Sequence, residues 1–212
     1  MKNLDEISER IRNSFDARTA TRDGAINRAR TLTRHCANAI RATHREEGEL
    51  ALQNLHQARD LAEALRADLH DYPDLYYAGY TQDALKEYAE ANIVFALVSK
   101  NDLPNPEELG LEYATYLQGL AEAAGELRRR CLDILRHGHS EEAERLLSHM
   151  DDIYAILVTM DYPDAITGGL RRLTDIVRGV TERTRGDMMI SLRQDRLEQA
   201  MQKLEKTFNV DH

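Results

Sequence analysis

Four glutamates stand in two helical pairs. Glu87 and Glu90 are three residues apart and Glu122 and Glu126 four apart, so each pair shares one face of a helix. Paired carboxylates are hard oxygen donors that hold Mg²⁺ or Mn²⁺, or else pair with arginine. Val94 and Leu97 continue the first face, and the helix is apolar all round from Ile93 to Val98. A solvated acidic face therefore explains the first pair poorly, and carboxylates held against a buried helix require a cation. From spacing alone, buried ion pairing is the commoner outcome and metal binding the alternative. Glu122 and Glu126 lie opposite the stripe of Leu117, Leu120, Ala124, Leu127 and Cys131, where a solvated face is the plainer reading. Gly119 and Gly125 beside them leave room for close approach to the backbone. No Glu-x-x-His occurs, which argues against a di-iron bundle, and the eight histidines show no zinc-ligand spacing.

A second constellation is cationic. Arg30, Arg34, Arg41 and Arg45 fall within a narrow strip of one helix, at +4, +11 and +15 from the first, with His44 beside them. Repeated cations without interleaved acids repel unless phosphate or another chain's carboxylates lie opposite. The strip as a whole points to an anionic ligand. Arg128, Arg129 and Arg130 form a further run, for which pairing with neighbouring acids is the simpler account. No Walker loop, dinucleotide fingerprint or nucleophile elbow is present.

The elements that must position these groups are helical. Of 212 residues 42% are hydrophobic, with four prolines and no tryptophan, and Ala, Leu, Glu and Arg dominate. The net charge is −9, yet only five of the 28 basic residues are lysine. The sum excludes an all-over polyanion-binding coat and leaves room for a local arginine patch. Cys36 and Cys131 read as reduced core thiols of a cytoplasmic protein, and no apolar run is long enough to span a bilayer. Period-3.6 patterning predicts seven helices in one domain covering 1–212. They run over about 3–20, 24–46 after a break at Asp23-Gly24, 49–69, 81–99 with Thr81 as N-cap, 106–136, 140–160 opened by Ser140 after the stop at His137-Gly138-His139, and 170–208. A tyrosine-rich connector spans Tyr72 to Tyr80. The first helix carries a stripe of Leu4, Ile7, Ile11 and Phe15. The last carries Leu170, Leu173, Val177 and Val180, then Leu197, Met201, Leu204 and Phe208, a seam that predicts a subunit contact.

Lys86-Glu87-Tyr88-Ala89-Glu90-Ala91 resembles the QEY-x-EA motif of the translin family, in its translin-associated factor X (Trax) branch. Ile40-Arg41-Ala42-Thr43-His44-Arg45 resembles that branch's motif ending in HR. The stretch from Gly119 to Leu127 is similar to G-x-A-D-L-x-G-E-L, and Asp151-Asp152-Ile153-Tyr154 falls where the family has a short aromatic segment. The four occur in family order and spacing, from about residue 5 to 205. The resemblance implies a seven-helix all-α subunit assembling into a hollow homo-octamer that holds single-stranded RNA or DNA. In the Trax branch it also implies a Mg²⁺-dependent endoribonuclease leaving 3′-hydroxyl and 5′-phosphate ends. It assigns Glu87, Glu90, Glu122 and Glu126 as catalytic metal ligands. Arg30, Arg34, Arg41, His44 and Arg45 are expected on the nucleic acid. The family usually has Asp where this chain has Glu122, which displaces the carboxylate by about 1.5 Å.

Two other functions compete. A binding-only translin-like shell would use the four acids structurally. An all-α nucleoside triphosphate pyrophosphohydrolase also pairs glutamates on two helices, but it wants Glu-Glu-x-x-Glu followed by Glu-x-x-Asp. Here Lys86 precedes Glu87 and Gly125 stands three after Glu122, so both halves fail.

Overall fold

A computed structural model describes residues 3–138 and 140–206, and the helical backbone on to Val210. Regular structure among them is all α-helical: α1 (Leu4–His44), α2 (Gly48–Asp68), α3 (Pro73–Tyr76), α4 (Gly79–Val98), α5 (Pro106–Leu109), α6 (Tyr113–Leu135), α7 (Glu141–Thr159), α8 (Asp164–Thr167) and α9 (Leu170–Val210). No helix of the described residues is long and apolar enough to cross a membrane.

The segmentation differs from the periodicity in several places, the short helices α3 and α8 among them, since both form in stretches without a predicted helix. The break expected at Asp23-Gly24 is absent, and α1 is one helix of 41 residues. A lone glycine inside a helix costs only about 1 kcal/mol, and a Cβ at Gly24 would meet nothing within 4 Å, so no packing demand turns the chain there. The helix expected from Pro106 onward is instead two. Asn105 and Glu108 form a reciprocal capping box on α5 (2.8 and 2.9 Å), and Gly110 ends it in the left-handed region at φ 63°. Thr81 is not an N-cap: it lies inside α4, and its hydroxyl donates to the Leu75 carbonyl at 2.9 Å. Ser140 does cap α7, accepting from the Glu142 N–H at 3.1 Å. His139 of the predicted stop and the side chain of Phe208 in the predicted seam lie outside what is described.

The chain divides into two compact units. The first is Met1–Phe95 with Pro104–Tyr116. Here α1 packs along α2, Ala25, Ala29, Leu32, Cys36 and Ala39 of the one being buried with Ala51, Leu55, Ala58, Ala62 and Leu65 of the other. Small alanines let the helix axes approach closely, while each fully buried leucine contributes about 1.5–3 kcal/mol. Arg28 pairs with Asp68, and Arg18 with Asp74. Ala84, Leu85, Tyr88, Ala89 and Val94 bury the first part of α4. The second unit is Ala96–Leu103 with Leu117–His212. Leu146, Met150, Ile153 and Leu157 of α7 are buried there, as are Leu170 and Val177 of α9, and these two helices pack together. Arg145 fastens the end of α4 to α7, donating to the Leu97 carbonyl at 2.9 Å while paired with Glu142 at 2.6 Å.

Two apolar stretches stay uncovered. Leu4, Ile11 and Phe15 of α1 are 50, 48 and 64% exposed, and Ile190, Leu197, Met201 and Leu204 of α9 are all 53% exposed or more.

Candidate carboxylate and arginine sites

The first acid pair sits on α4, in the first unit. Its helix is buried around Ala84, Leu85, Tyr88, Ala89, Ala91 and Ile93, which leaves Glu87 half-buried and Glu90 only 8% exposed. Carboxylate oxygens of the two come within 4.8 Å of each other. Their partner across the packing is Cys36 of α1, itself fully buried. Burial pushes the Cys36 thiol up, and the nearby charges of Glu87 and Glu90 push it further. The 3-residue spacing announced the pair, but nothing announced Cys36 beside it, because 51 residues separate it from Glu87.

Glu122 and Glu126 lie on α6, in the second unit. Leu120, Ala121, Ala123, Ala124 and Leu127 are all buried, so burial takes in far more of this helix than one stripe. Both glutamates are half-buried. This corrects the solvated face that the spacing suggested: alanines on the flank of a stripe pack as core when a neighbour covers them. Gly125 is exposed, and a Cβ there would meet nothing within 4 Å. Glu126 accepts a long ion pair from Arg129 at 3.6 Å. Arg128 reaches the other way, donating to the Thr184 hydroxyl at 3.0 Å and pairing with Asp187 at 2.9 Å. Those two arginines of the run are therefore structural partners of acids, as the simpler account held.

The arginine strip forms as its spacing predicts, although on one long helix. Arg30, Arg34 and Arg41 of α1 are exposed, His44 is half-buried, and Arg45 caps the helix, exposed. Leu32, Cys36, Ala39, Ile40 and Thr43 occupy the opposite, buried side. Four other arginines of α1 pair with acids, Arg12 with Glu9, Arg18 with Asp74, Arg22 with Asp23 and Arg28 with Asp68, whereas Arg10, among the described residues, does not. Arg30, Arg34, Arg41 and Arg45 make no such ion pair among the described residues. Arg41 is steadied by a neutral group, donating to the Asn38 side chain one turn before it, which leaves its charge available. Asn38 has no motif of its own and was not legible as part of the strip.

A buried carboxylate pair, a second pair on another helix and a strip of arginines without an ion pair among the described residues all stand on one all-helical scaffold. No family model matches the chain. Among solved structures, AfC3PO in complex with duplex RNA superposes with a TM-score of 0.80 at 30% identity, over 88% of this chain and 96% of that one. A second structure of AfC3PO matches at 0.78 and 31% identity, over 88% and 97%. Apo-NeC3PO shares the fold at 0.79 and 23% identity, over 90% and 98%. An uncharacterized protein of Methanocaldococcus jannaschii is 27% identical over 205 residues, 95% of this chain and 90% of its own length. The scaffold is thus the all-α fold of the C3PO subunits. The chain belongs to the translin family, in its Trax-like branch.

Proposed function

We propose that this protein binds single-stranded RNA and cleaves it as a Mg²⁺-dependent endoribonuclease. The observation that carries the reading is the pairing of two unlike features on one family scaffold. One is the Glu87 and Glu90 pair, its oxygens within 4.8 Å and one member almost wholly buried. The other is the α1 strip, whose four arginines make no ion pair with a carboxylate among the described residues. A binding-only shell requires the strip alone, whereas a metal-dependent nuclease requires both. The likeness to AfC3PO, a protein whose structure is known with duplex RNA, supports RNA as the ligand.

The donor set fits the metal. Carboxylate oxygens alone, without sulfur or imidazole, suit Mg²⁺ or Mn²⁺. In the proposal Glu87, Glu90, Glu122 and Glu126 hold one or two such ions. When bound, the metal supplies an activated water and stabilises charge on the phosphate oxygens. The chain's own part is positioning. Arg41 and Arg45 grip phosphates, Arg30 and Arg34 extend the track along α1, and His44 supports the end of the strip. The buried wall of Tyr88, Ala89 and Ile93 keeps the α4 carboxylates from relaxing into solvent. Single-stranded DNA would be bound on the same track, and assembly into a homo-octamer would place several tracks together.

The test is cleavage of a 5′-labelled RNA, single-stranded and duplex in parallel, in Mg²⁺ and in EDTA, by the parent and by Glu90→Gln. Mg²⁺-dependent cutting of the single strand, lost in the variant while binding persists, is the expected result. Binding by the parent without any cleavage in Mg²⁺ or Mn²⁺ would overturn the nuclease reading and leave the shell. Preferential cutting of the duplex would overturn the strand preference.

A further inference from the structure

We infer that the first unit carries a guanine-binding pocket at its tyrosine-rich connector, built from residues other than the acid pairs and the arginine strip. This inference rests on the RNA-binding reading for its ligand. A cavity of about 330 Å³ opens between the end of α2, the connector and the α5–α6 junction, lined by Arg66, His70, Pro73, Tyr76, Tyr77 and Glu112. That volume lies in the range of small-ligand sites.

Its aromatic wall is arranged, not incidental. The Tyr76 and Tyr77 rings meet edge to face, centroids 5.0 Å apart at 81°. Tyr76 is half-buried and holds its place, while Tyr77 presents a ring 60% exposed. An exposed, immobilised ring is a stacking platform for a base. The Tyr77 hydroxyl donates to Glu112 at 3.3 Å, a long bond that fixes the carboxylate without using up its acceptor capacity.

The cationic wall is built with comparable care. Arg66 donates one Nη1–H to the Gly110 carbonyl at 2.9 Å, which anchors the guanidinium and leaves further N–H donors on the fork. Gly110 is required for this. A Cβ there would fall 1.4 Å from Arg66 Nη1, in a backbone already at φ +63°. Arg66 and Glu112 act together on the Tyr76 phenol: burial and then the Glu112 charge push it up, and Arg66 opposes them. Both charges therefore stand beside the same ring.

A stacking ring flanked by a carboxylate and a guanidinium selects among bases. Guanine offers neighbouring N1–H and N2–H donors to a carboxylate and O6 and N7 acceptors to an arginine. Adenine lacks the N1–H and O6, and uracil is too small to reach both walls. The source is either a base of a bound strand or a free guanine nucleotide.

The experiment uses the full chain and the Glu90→Gln background, so that RNA survives. Affinities are measured by fluorescence anisotropy for labelled uridine 12-mers carrying one internal G, inosine or A, and by calorimetry for GMP and AMP. The G strand should bind about tenfold more tightly than the A strand, about 1.4 kcal/mol, the inosine strand, which lacks only the N2–H, should fall between them, and Tyr77→Ala and Glu112→Gln should each bring the G-to-A ratio close to one. Arg41→Ala with Arg45→Ala should weaken all three strands alike and keep the ratio. GMP binding that exceeds AMP binding and falls in Glu112→Gln assigns the pocket to free nucleotide, and discrimination confined to strands assigns it to RNA. A ratio of one in the parent for both strands and mononucleotides overturns the pocket. Failure of the parent to bind any strand overturns the RNA reading instead, and the GMP arm still decides the pocket.

Discussion

Replacing Glu90 by Gln offers a direct measure of the carboxylate pair. The change is close to isosteric and removes one of two charges whose oxygens approach within 4.8 Å. At an effective dielectric constant of about 20, two unit charges at that separation repel by about 3.5 kcal/mol. A bound divalent cation relieves the repulsion, and so does deleting one charge, so the cation has correspondingly less to gain in the variant. Existing partners of Glu87 and Glu90 offset part of that repulsion, and a loss of about 2.7 kcal/mol is about 100-fold in Mg²⁺ affinity. Consider Mg²⁺ at about 100 times its parental Kd. The parent is then stabilised by about 2.7 kcal/mol, and the variant, at a concentration equal to its new Kd, by about 0.4 kcal/mol. A chain of this size gains about 2–4 °C in Tm per kcal/mol. Differential scanning calorimetry should therefore show the parent rising by about 5–10 °C on replacing EDTA with Mg²⁺, and Glu90→Gln by about 1 °C. An equal rise in both proteins would refute the reasoning, because the ion would then be bound elsewhere.

Three further outcomes follow from features already described. Arg41→Ala combined with Arg45→Ala should lower the slope of log affinity against log salt by about 1.4 for a single strand, two phosphate contacts at about 0.7 each; an unchanged slope in a binding titration would return these arginines to a structural role. Light scattering at micromolar concentration should give a mass several times 24.2 kDa, since Phe15 on α1 and Ile190 and Leu197 on α9 are otherwise left in water; a stable monomer would contradict it. Burial raises the Cys131 thiol to about 11 and raises Cys36 further. Both therefore stay protonated in the folded state while unfolded thiols ionise near 9. Their contribution to stability is complete below about pH 9 and declines above it, and neither should react with iodoacetamide at pH 8 faster than the protein unfolds. Rapid labelling of the native protein would count against that burial.

What the sequence revealed depended on whether the signal was local. The arginine strip was legible because 4, 7 and 4 residue steps on any α-helix return to the same side, whether the helix begins at residue 4 or at residue 24. The Glu87 and Glu90 pair was legible for the same reason, reinforced by the apolar run after it. Gly24 misled because glycine permits a turn without demanding one, and the demand comes from packing. Glu122 and Glu126 looked solvated because Ala121 and Ala123 carry too little apolar weight to extend a stripe, yet they bury completely once another element lies on them. Arg66 and Gly110 escaped notice altogether: a guanidinium seated where a Cβ would otherwise be is a relation between positions 44 residues apart, and no periodicity encodes it.

The continuity of α1 through Gly24 also has a thermodynamic consequence. From residue 4 to 24 nearly every side chain is exposed, so this stretch of about 30 Å rests on little more than Arg18, which pairs with Asp74 and lies 5.7 Å over the Tyr72 ring. A helix of that length without tertiary support is only marginally stable in water. Its order is therefore a property of the solution as much as of the chain. On dilution, amide exchange across the first twenty residues should quicken by orders of magnitude while residues 29–43 stay protected, and helical signal should fall with concentration well before the core melts. If that arm is a subunit contact, its folding and the association of subunits form a single equilibrium, governed by how much protein is present.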